Sequence, residues 1–279
     1  MKIGVIGTGT MGSGIAQVFI EKGYEVVLKG NSENGVKKGF NIIDKNLDRK
    51  VKKEKITSED KEGILEKLNI CVEIEELKEC DIIIEAIVEN IEVKKELFKK
   101  LDEIVKEDAV LATNTSSLSI TEVALSTKRP DKVIGMHFFN PAPVMKLVEI
   151  IEGIASSQDT VDKVHELCTQ IGKDPVMVKE APGFIVNRIL IPMINEAIGI
   201  LGDGIATSEE IDKAMKLGAG HPMGPLELSD LIGNDVVLFI MEILHKEFGD
   251  DKYRPHTLLK KMVRGNLLGR KTKNGFYKY

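Results

Sequence analysis

Apolar positions alternate between two spacings along the first two thirds of the chain. KIGVI (2–6) and EVVL (25–28) are short apolar runs typical of strands, and apolar residues recur with helical spacing between them, from 11 to 22. DIIIEAI (81–87) is a continuous apolar run, which suits a parallel strand covered on both faces. Further strands are predicted at 70–73, 109–115, 132–138, 146–151 and 174–179, and further helices at 33–52, 58–68, 91–106 and 160–171. This alternation predicts an α/β fold with a doubly wound parallel sheet, in which the charged helices at 33–52 and 58–68 form a helical insertion.

The pattern changes at Pro182 and Gly183, after which only helical spacing remains. Helices are predicted at about 184–201, 208–217, 226–247 and 256–264. The first of them is apolar nearly all round, so it is buried in its own domain or forms a subunit contact. The sequence therefore predicts a dinucleotide-binding domain over 1–182 and an all-α domain over 183–279.

Composition and charge narrow the class of protein. The net charge of −5 argues against nucleic acid, which favours a basic face. The three cysteines are far apart and form no CxxC pair, which fits a reducing compartment and indicates no metal site or disulfide framework. The chain starts directly on a strand, with no signal-peptide pattern and no apolar run of membrane-spanning length. We expect a soluble, cytoplasmic protein with no membrane partner.

A glycine motif follows the first strand. Gly7, Gly9 and Gly12 form G-x-G-x-x-G between a strand and a helix, the context in which this motif binds a dinucleotide. The pyrophosphate would lie on free backbone N–H groups at the positive end of the helix dipole. A glycine-rich turn without a ligand is the alternative. The predicted cofactor contacts of this loop are Gly7, Gly9, Thr10, Met11 and Gly12.

A histidine ends one strand, and a glutamate lies in the next. His137 follows an apolar run in GMHFFNPAPVMKLVEII, and alternation along the next strand could direct the Glu149 carboxylate towards it. An imidazole with a pKa near 7 suits removal of a hydroxyl proton, and a carboxylate behind it sets the tautomer and stabilises the imidazolium. A histidine with a purely structural role is the alternative.

Two polar features accompany this pair. Asn114, Ser116 and Ser117 follow a buried strand, where open parallel sheets place their ligands, although such residues also cap helices. Asn187 stands in an apolar helix, where an amide is costly unless it is hydrogen-bonded. Its amide either makes a hydrogen bond within the core or faces the cleft between the domains.

Six long segments carry a family resemblance. GVIGTGTMGSGIAQ, DIIIEAIVEN, ATNTSSLSITEVA, GMHFFNPAPVMKLVEII, APGFIVNRILIPMINEA and AMKLGAGHPMGPLELSDLIG, with the closing LGRKTKNGFYKY, resemble the 3-hydroxyacyl-CoA dehydrogenases. Among these enzymes, the chain is especially similar to the short bacterial 3-hydroxybutyryl-CoA dehydrogenases of clostridial type, and the similarity covers nearly the whole chain. It implies hydride transfer between NAD(P)(H) and acetoacetyl-CoA or 3-hydroxybutyryl-CoA in butyrate and short-chain fatty acid metabolism, and a homodimer formed through the C-terminal domain.

The resemblance also implies residue roles. His137 is the base and Glu149 its partner, while Ser116 and Asn187 hold the 3-oxygen and thioester region of the substrate. Cofactor contacts are implied at Glu89, Lys94, Asn114 and Asn140, the last beside the nicotinamide. Lys50 and Lys53, in the basic stretch 45–55, face the coenzyme A phosphates, with a solvated charged face as the alternative.

The chain departs from the family after its second strand. NAD-using relatives carry an acid there, and this chain has Gly30 in LKGNSENG. A carboxylate accepts hydrogen bonds from the ribose hydroxyls and repels a 2′-phosphate, and Gly30 removes both effects. Asn31 and Ser32 can donate to a phosphate, with Lys29, Lys37 or Lys38 as the charge. We expect NADP(H) to be preferred and NAD(H) to be accepted, with Glu33 beginning the next helix.

Two other functions are compatible with this fold. One is a non-catalytic dinucleotide-binding protein, since a fold does not determine a function. The presence of both His137 and Glu149 argues against it. The other is a β-hydroxyacid dehydrogenase that does not use coenzyme A thioesters, against which the HFFNP and NTSSLS segments argue.

Overall fold

The computed structural model describes residues 1–279, which divide into two compact units, Met1–Glu180 and Ala181–Tyr279. The strands of the first unit are β1 (Lys2–Ile6), β2 (Glu25–Lys29), β3 (Leu68–Cys71), β4 (Ile82–Glu85), β5 (Val110–Thr113), β6 (Val133–Phe138), β7 (Leu147–Glu152) and β8 (Asp174–Lys179). Its helices are α1 (Thr10–Ile20), α2 (Glu33–Lys52), α3 (Ser58–Leu65), α4 (Ile91–Ile104), α5 (Ile120–Ala124) and α6 (Gln158–Gln170). None of the helices of the chain is long and apolar enough to span a membrane.

The eight strands form one sheet in the order β3-β2-β1-β4-β5-β6-β7-β8. The chain builds outward from β1 to β3 and then returns to the other side of β1 with β4. This reversal confirms the doubly wound arrangement and creates the crevice at the carboxyl ends of β1 and β4 where such sheets bind ligands. Two apolar clusters cover the faces of the sheet, one of them including Phe19 of α1 and the other Phe98 of α4.

One strand pair corrects the prediction of a wholly parallel sheet. β6 and β7 pair antiparallel, with His137 opposite Glu149. Only residues 139–146 separate them, and a parallel neighbour needs a crossover of about a dozen residues or more. The short connection therefore allows only the antiparallel pairing, which places the two polar side chains at the same level on one face.

The second unit consists of α7 (Val186–Gly202), α8 (Ser208–Gly218), α9 (Pro225–Ile232), α10 (Asn234–Phe248) and α11 (Thr257–Arg264), around a core of its own. The single helix predicted at 226–247 is wrong. It is interrupted at Gly233, whose φ of 106° is incompatible with a continuous right-handed helix, so α9 ends and α10 begins there.

Candidate active site

The loop after β1 needs glycine at two positions. Gly7 has φ 111°, and a Cβ on it would lie 2.3 Å from the carbonyl oxygen of Ala86. A Cβ on Gly12 would lie 1.9 Å from the carbonyl oxygen of Gly7. Gly9 differs, because a Cβ there would meet nothing within 4 Å. Packing thus requires Gly7 and Gly12, whereas Gly9 leaves an open backbone surface at the end of the strand.

The N-terminus of α1 fits an anionic group at this surface. Its N-cap residue is Gly9, no side chain caps the helix, and its first turn contains no acid. The N–H groups at the positive end of the dipole are therefore not used by the protein's own carboxylates. Thr10 and Met11 begin the helix and complete the loop. These features fit a dinucleotide pyrophosphate held by residues 7–12.

The structure brings His137 and Glu149 together across the antiparallel pair. The imidazole Nδ1 lies 2.8 Å from the Glu149 Oε2 atom, and both side chains are buried. With the Nδ1–H group donating a hydrogen bond to the Glu149 carboxylate, the lone pair of the imidazole lies on Nε2. The Phe139 ring lies against the imidazole, with 4.5 Å between ring centroids. The arrangement is that of a general base oriented by a carboxylate.

The serine loop after β5 surrounds the Glu89 carboxylate. Glu89 Oε1 accepts hydrogen bonds from Thr115 Oγ1 at 2.5 Å, from the Ser116 N–H at 2.8 Å and from Ser116 Oγ at 3.2 Å. Burial alone would raise the pKa of Glu89, but the Lys94 ammonium and the Thr115 and Ser116 hydrogen bonds outweigh it and hold that pKa below its usual value. Glu89 is therefore ionised at neutral pH and orients Ser116.

A buried ion pair lies behind this loop. Lys94 Nζ is 2.6 Å from Glu85 Oε1 and 3.3 Å from Glu89 Oε2, and Lys94 is only 1% exposed. Glu85 also accepts hydrogen bonds from Thr113 Oγ1 and the Ile87 N–H, both at 2.7 Å. The predicted cofactor residue Lys94 therefore has its ammonium between two carboxylates. Glu85 was not predicted as a site residue, although an acid within the apolar run DIIIEAI must be partnered.

The remaining predicted residues take varied positions. The Asn114 amide oxygen accepts a hydrogen bond from the Phe138 N–H at 2.8 Å and so joins the ends of β5 and β6 beside His137. Asn140 is exposed in the connection after β6. In the second unit, Asn187 is buried on the face of α7 that carries Ile191 and Ile194. In the serine loop after β5, the residue that caps a helix is Ser119, the N-cap of α5, and not Ser116 or Ser117.

The two lysines predicted to face coenzyme A differ in their surroundings. Lys50 forms an ion pair with Glu21, the C-cap residue of α1, with 2.6 Å between Nζ and Oε2. Lys53 follows α2 as its C-cap and is exposed. Both lysines lie near the end of α2. The Lys50 ammonium is paired with a carboxylate, whereas the Lys53 ammonium has no carboxylate of this chain within 4.0 Å.

Gly30 is tightly enclosed at the end of β2. Its N–H donates to the carbonyl oxygen of Cys71 at 3.0 Å, and a Cβ on it would lie 2.7 Å from Val36 Cγ1 and 3.0 Å from Thr8 Cγ2. No carboxylate projects from this position. Any larger residue would have to displace the Val36 side chain.

Polar groups surround the same strand end. The Ser32 hydroxyl caps α2 by accepting from the Gly35 N–H at 3.1 Å, and Lys29 Nζ donates to Asn31 Oδ1 at 3.1 Å. Glu33 is the first residue of α2 and lies in its first turn, as predicted. The strand end therefore presents a cation, an amide and a hydroxyl.

Comparison with known proteins identifies the family. Residues 2–181 match the model of the 3-hydroxyacyl-CoA dehydrogenase NAD binding domain, and residues 183–279 match that of the 3-hydroxyacyl-CoA dehydrogenase C-terminal domain. The chain belongs to the 3-hydroxyacyl-CoA dehydrogenase family. A 3-hydroxybutyryl-CoA dehydrogenase of Clostridioides difficile is 61% identical over 279 residues, which cover 100% of this chain and 99% of that protein.

Other members of the family share the whole fold. The mitochondrial hydroxyacyl-coenzyme A dehydrogenase of Homo sapiens is 45% identical, with 99% of this chain and 90% of that protein covered. The crystal structure of (S)-3-hydroxybutyryl-CoA dehydrogenase from Ralstonia eutropha superposes with a TM-score of 0.96 at 50% identity, covering 100% of this chain and 98% of that one. The similarity to these dehydrogenases therefore extends over both units.

Proposed function

We propose that this protein interconverts acetoacetyl-CoA and 3-hydroxybutyryl-CoA in short-chain fatty acid or butyrate metabolism. The observation that carries the proposal is the His137–Glu149 pair, in which Nδ1 lies 2.8 Å from Oε2. Its two strands, β6 and β7, belong to the same sheet as β1, which leads into the G-x-G-x-x-G loop. Residues 7–12 would hold a nicotinamide dinucleotide, which would accept or supply the hydride. Relatives named 3-hydroxybutyryl-CoA dehydrogenase support the choice of a short acyl chain.

The residues of the chain perform the proton chemistry. In oxidation, His137 Nε2 takes the proton of the 3-hydroxyl group, and the Glu149 carboxylate stabilises the imidazolium that forms. In reduction, the imidazolium returns that proton to the ketone oxygen. Glu89 holds Ser116 through the Ser116 backbone N–H, so the Ser116 hydroxyl can turn its single proton from Glu89 to this oxygen and stabilise the charge that develops there. The substrate roles of Asn187, Lys50 and Lys53 stay predictions.

The substrate proposal predicts a strong preference for the thioester. We expect kcat/KM for oxidation of 3-hydroxybutyryl-CoA to exceed that for free 3-hydroxybutyrate by about 100-fold or more, because remote binding energy from coenzyme A contributes to the reaction. Initial rates with both compounds measure this ratio. Comparable rates would favour the β-hydroxyacid dehydrogenase alternative, and binding of dinucleotide without turnover of either compound would favour the non-catalytic protein.

The cofactor preference is a second part of the proposal. The family model is that of an NAD binding domain, which supports use of NAD(H). Gly30 leaves no carboxylate to repel a 2′-phosphate, and Lys29, Asn31 and Ser32 lie next to it. These features support a preference for NADP(H), with Lys37 and Lys38 of α2 as further exposed cations.

Gly30→Asp tests this preference. The substitution should lower kcat/KM for NADPH by about 10-fold or more relative to NADH, since 1.4 kcal/mol of repulsion corresponds to a factor of ten. Gly30→Ala is the matched control, because its Cβ meets Val36 equally closely but adds no charge. A wild-type preference for NADH, or equal effects of the two variants, would contradict the assigned role of Gly30.

The proposal includes a homodimer formed through the second unit. Helices of this unit expose large apolar side chains, among them Ile189 of α7 at 68%, Leu231 of α9 at 47% and Phe239 of α10 at 39%. Exposed apolar residues on several helices of one unit favour association. A second copy of this chain is the partner we propose.

A further inference from the structure

Lys173 is a buried lysine that pairs with no acid. It lies directly before β8, is 7% exposed, and takes part in none of the ion pairs of the chain. Its Nζ instead donates to the carbonyl oxygens of Ala142 at 2.6 Å and Met145 at 2.7 Å. Burial lowers the pKa of this ammonium. A buried cation is costly unless it is hydrogen-bonded, and here both hydrogen bonds go to one turn.

That turn, residues 141–145, belongs to the connection between the two strands of the His137–Glu149 pair. The Pro141 carbonyl oxygen closes it by accepting from the N–H groups of Val144 at 2.9 Å and Met145 at 3.0 Å. Asn140 immediately precedes the turn, β6 ends at Phe138, and β7 begins at Leu147. A displacement of the turn would therefore be transmitted to both strands and to Asn140.

The turn also lies against α1, the helix that follows the glycine loop. A Cβ on Gly14 of α1 would be 3.3 Å from both Ala142 Cβ and Pro143 Cδ. The turn approaches α1 this closely because residue 14 has no side chain. Ala142 is 2% exposed, and the turn contacts both α1, through Ala142 and Pro143, and the Lys173 ammonium, through the carbonyl oxygens of Ala142 and Met145.

We infer that Lys173 is a positioning residue for hydride transfer: its ammonium holds the turn 141–145 against α1 and thereby sets His137 and Asn140 relative to the helix that binds the dinucleotide. This inference rests on the proposed function. Lys173 affects the rate through the positions of His137 and Asn140 and does not itself touch the substrate. Lys173 acts through the turn. Its loss should therefore slow the reaction more than it weakens binding.

Lys173→Met tests the inference, because it keeps the length of the side chain and removes its donors. We expect kcat for acetoacetyl-CoA reduction to fall by about 10–100-fold, since small misplacements of reacting groups cost rates of this order, while KM for the thioester and the dinucleotide Kd change by less than about 3-fold. Calorimetry with NADPH gives that Kd without turnover. Lys179→Met is the matched control on β8, since the Lys179 side chain is 88% exposed.

A second variant and a spectroscopic readout separate positioning from general destabilisation. Gly14→Ala keeps Lys173 and presses on the turn from α1, because the added Cβ would lie 3.3 Å from Ala142 Cβ and Pro143 Cδ. We expect both variants, but not Lys179→Met, to shift the imidazole ¹⁵N resonances of His137, assigned with His137→Gln, and to lower kcat. Wild-type kcat and unchanged His137 resonances in both variants would overturn the inference, even if Lys173→Met unfolds at a lower temperature.

The remaining outcomes are equally decisive. If Lys173→Met does not fold, Gly14→Ala tests by the same two readouts the step on which the inference depends, namely that the position of the turn 141–145 governs His137, and unchanged readouts would overturn it. If the wild-type protein does not turn over the thioester, the proposed function fails, whereas the His137 resonances and the dinucleotide Kd still show whether Lys173 positions the pair.

Discussion

Replacing His137 with glutamine is expected to lower kcat for acetoacetyl-CoA reduction by about 10²–10⁴-fold, the usual contribution of a general acid or base. The amide of glutamine can donate to the Glu149 carboxylate, which now accepts from Nδ1 at 2.8 Å, but it cannot take up or return a proton. Residues 7–12, which we propose to hold the dinucleotide, are unchanged in this variant, so its dinucleotide affinity is expected to be retained. Steady-state rates and a dinucleotide titration of the same preparation measure the two effects.

His165→Gln is the matched control, because His165 is exposed on α6. It should retain wild-type kcat. If His137→Gln retained most of the activity, His137 would not be the base. If it lost dinucleotide affinity in proportion to kcat, the loss would be one of binding and not of proton transfer.

Replacing Asp230 with alanine is expected to destabilise the second unit by about 3 kcal/mol or more, because several buried donors would lose their acceptor together. Asp230 is fully buried and accepts from the N–H groups of Phe276 at 3.0 Å and Tyr277 at 2.9 Å. It also accepts from Asn234 Nδ2 at 3.0 Å. One side chain therefore holds the C-terminal segment against α9 and α10.

Thermal unfolding followed by circular dichroism measures this effect, with an expected fall of about 12–24 °C in the midpoint of the second unit. Asp203→Ala is the control, since Asp203 is exposed after α7, and it should change the midpoint by only about 2 °C or less. An equal, small change in both variants would show that the C-terminal segment does not depend on Asp230.

Local patterns predicted most of the elements of this fold. The helix at 33–52 and the strand at 174–179 agree with α2 and β8, because each has continuous spacing between clear breaks. The direction of β7 was missed, since apolar alternation does not encode whether neighbouring strands are parallel. The connection 139–146 is too short for a parallel crossover, so its length indicates the antiparallel direction. The break at Gly233 was missed because an isolated glycine in a helical pattern is usually tolerated.

The site was predictable only in part. His137 and Glu149 stand on neighbouring strands, so alternation could place them together. The interactions of Glu85 with Lys94, of Lys173 with the turn 141–145, and of Asp230 with the C-terminal segment were not predicted. The partners of Lys173 and Asp230 are distant in sequence, and no local pattern shows which buried charge meets which donor or acceptor. The close contact of Gly30 with Val36 likewise follows from tertiary packing.

The most direct test of the account is the initial rate of acetoacetyl-CoA reduction by the purified protein, measured with NADPH and with NADH. We expect turnover with both cofactors and a higher kcat/KM with NADPH. No turnover with either, from a protein that binds the dinucleotide, would contradict the function proposed for the His137–Glu149 pair.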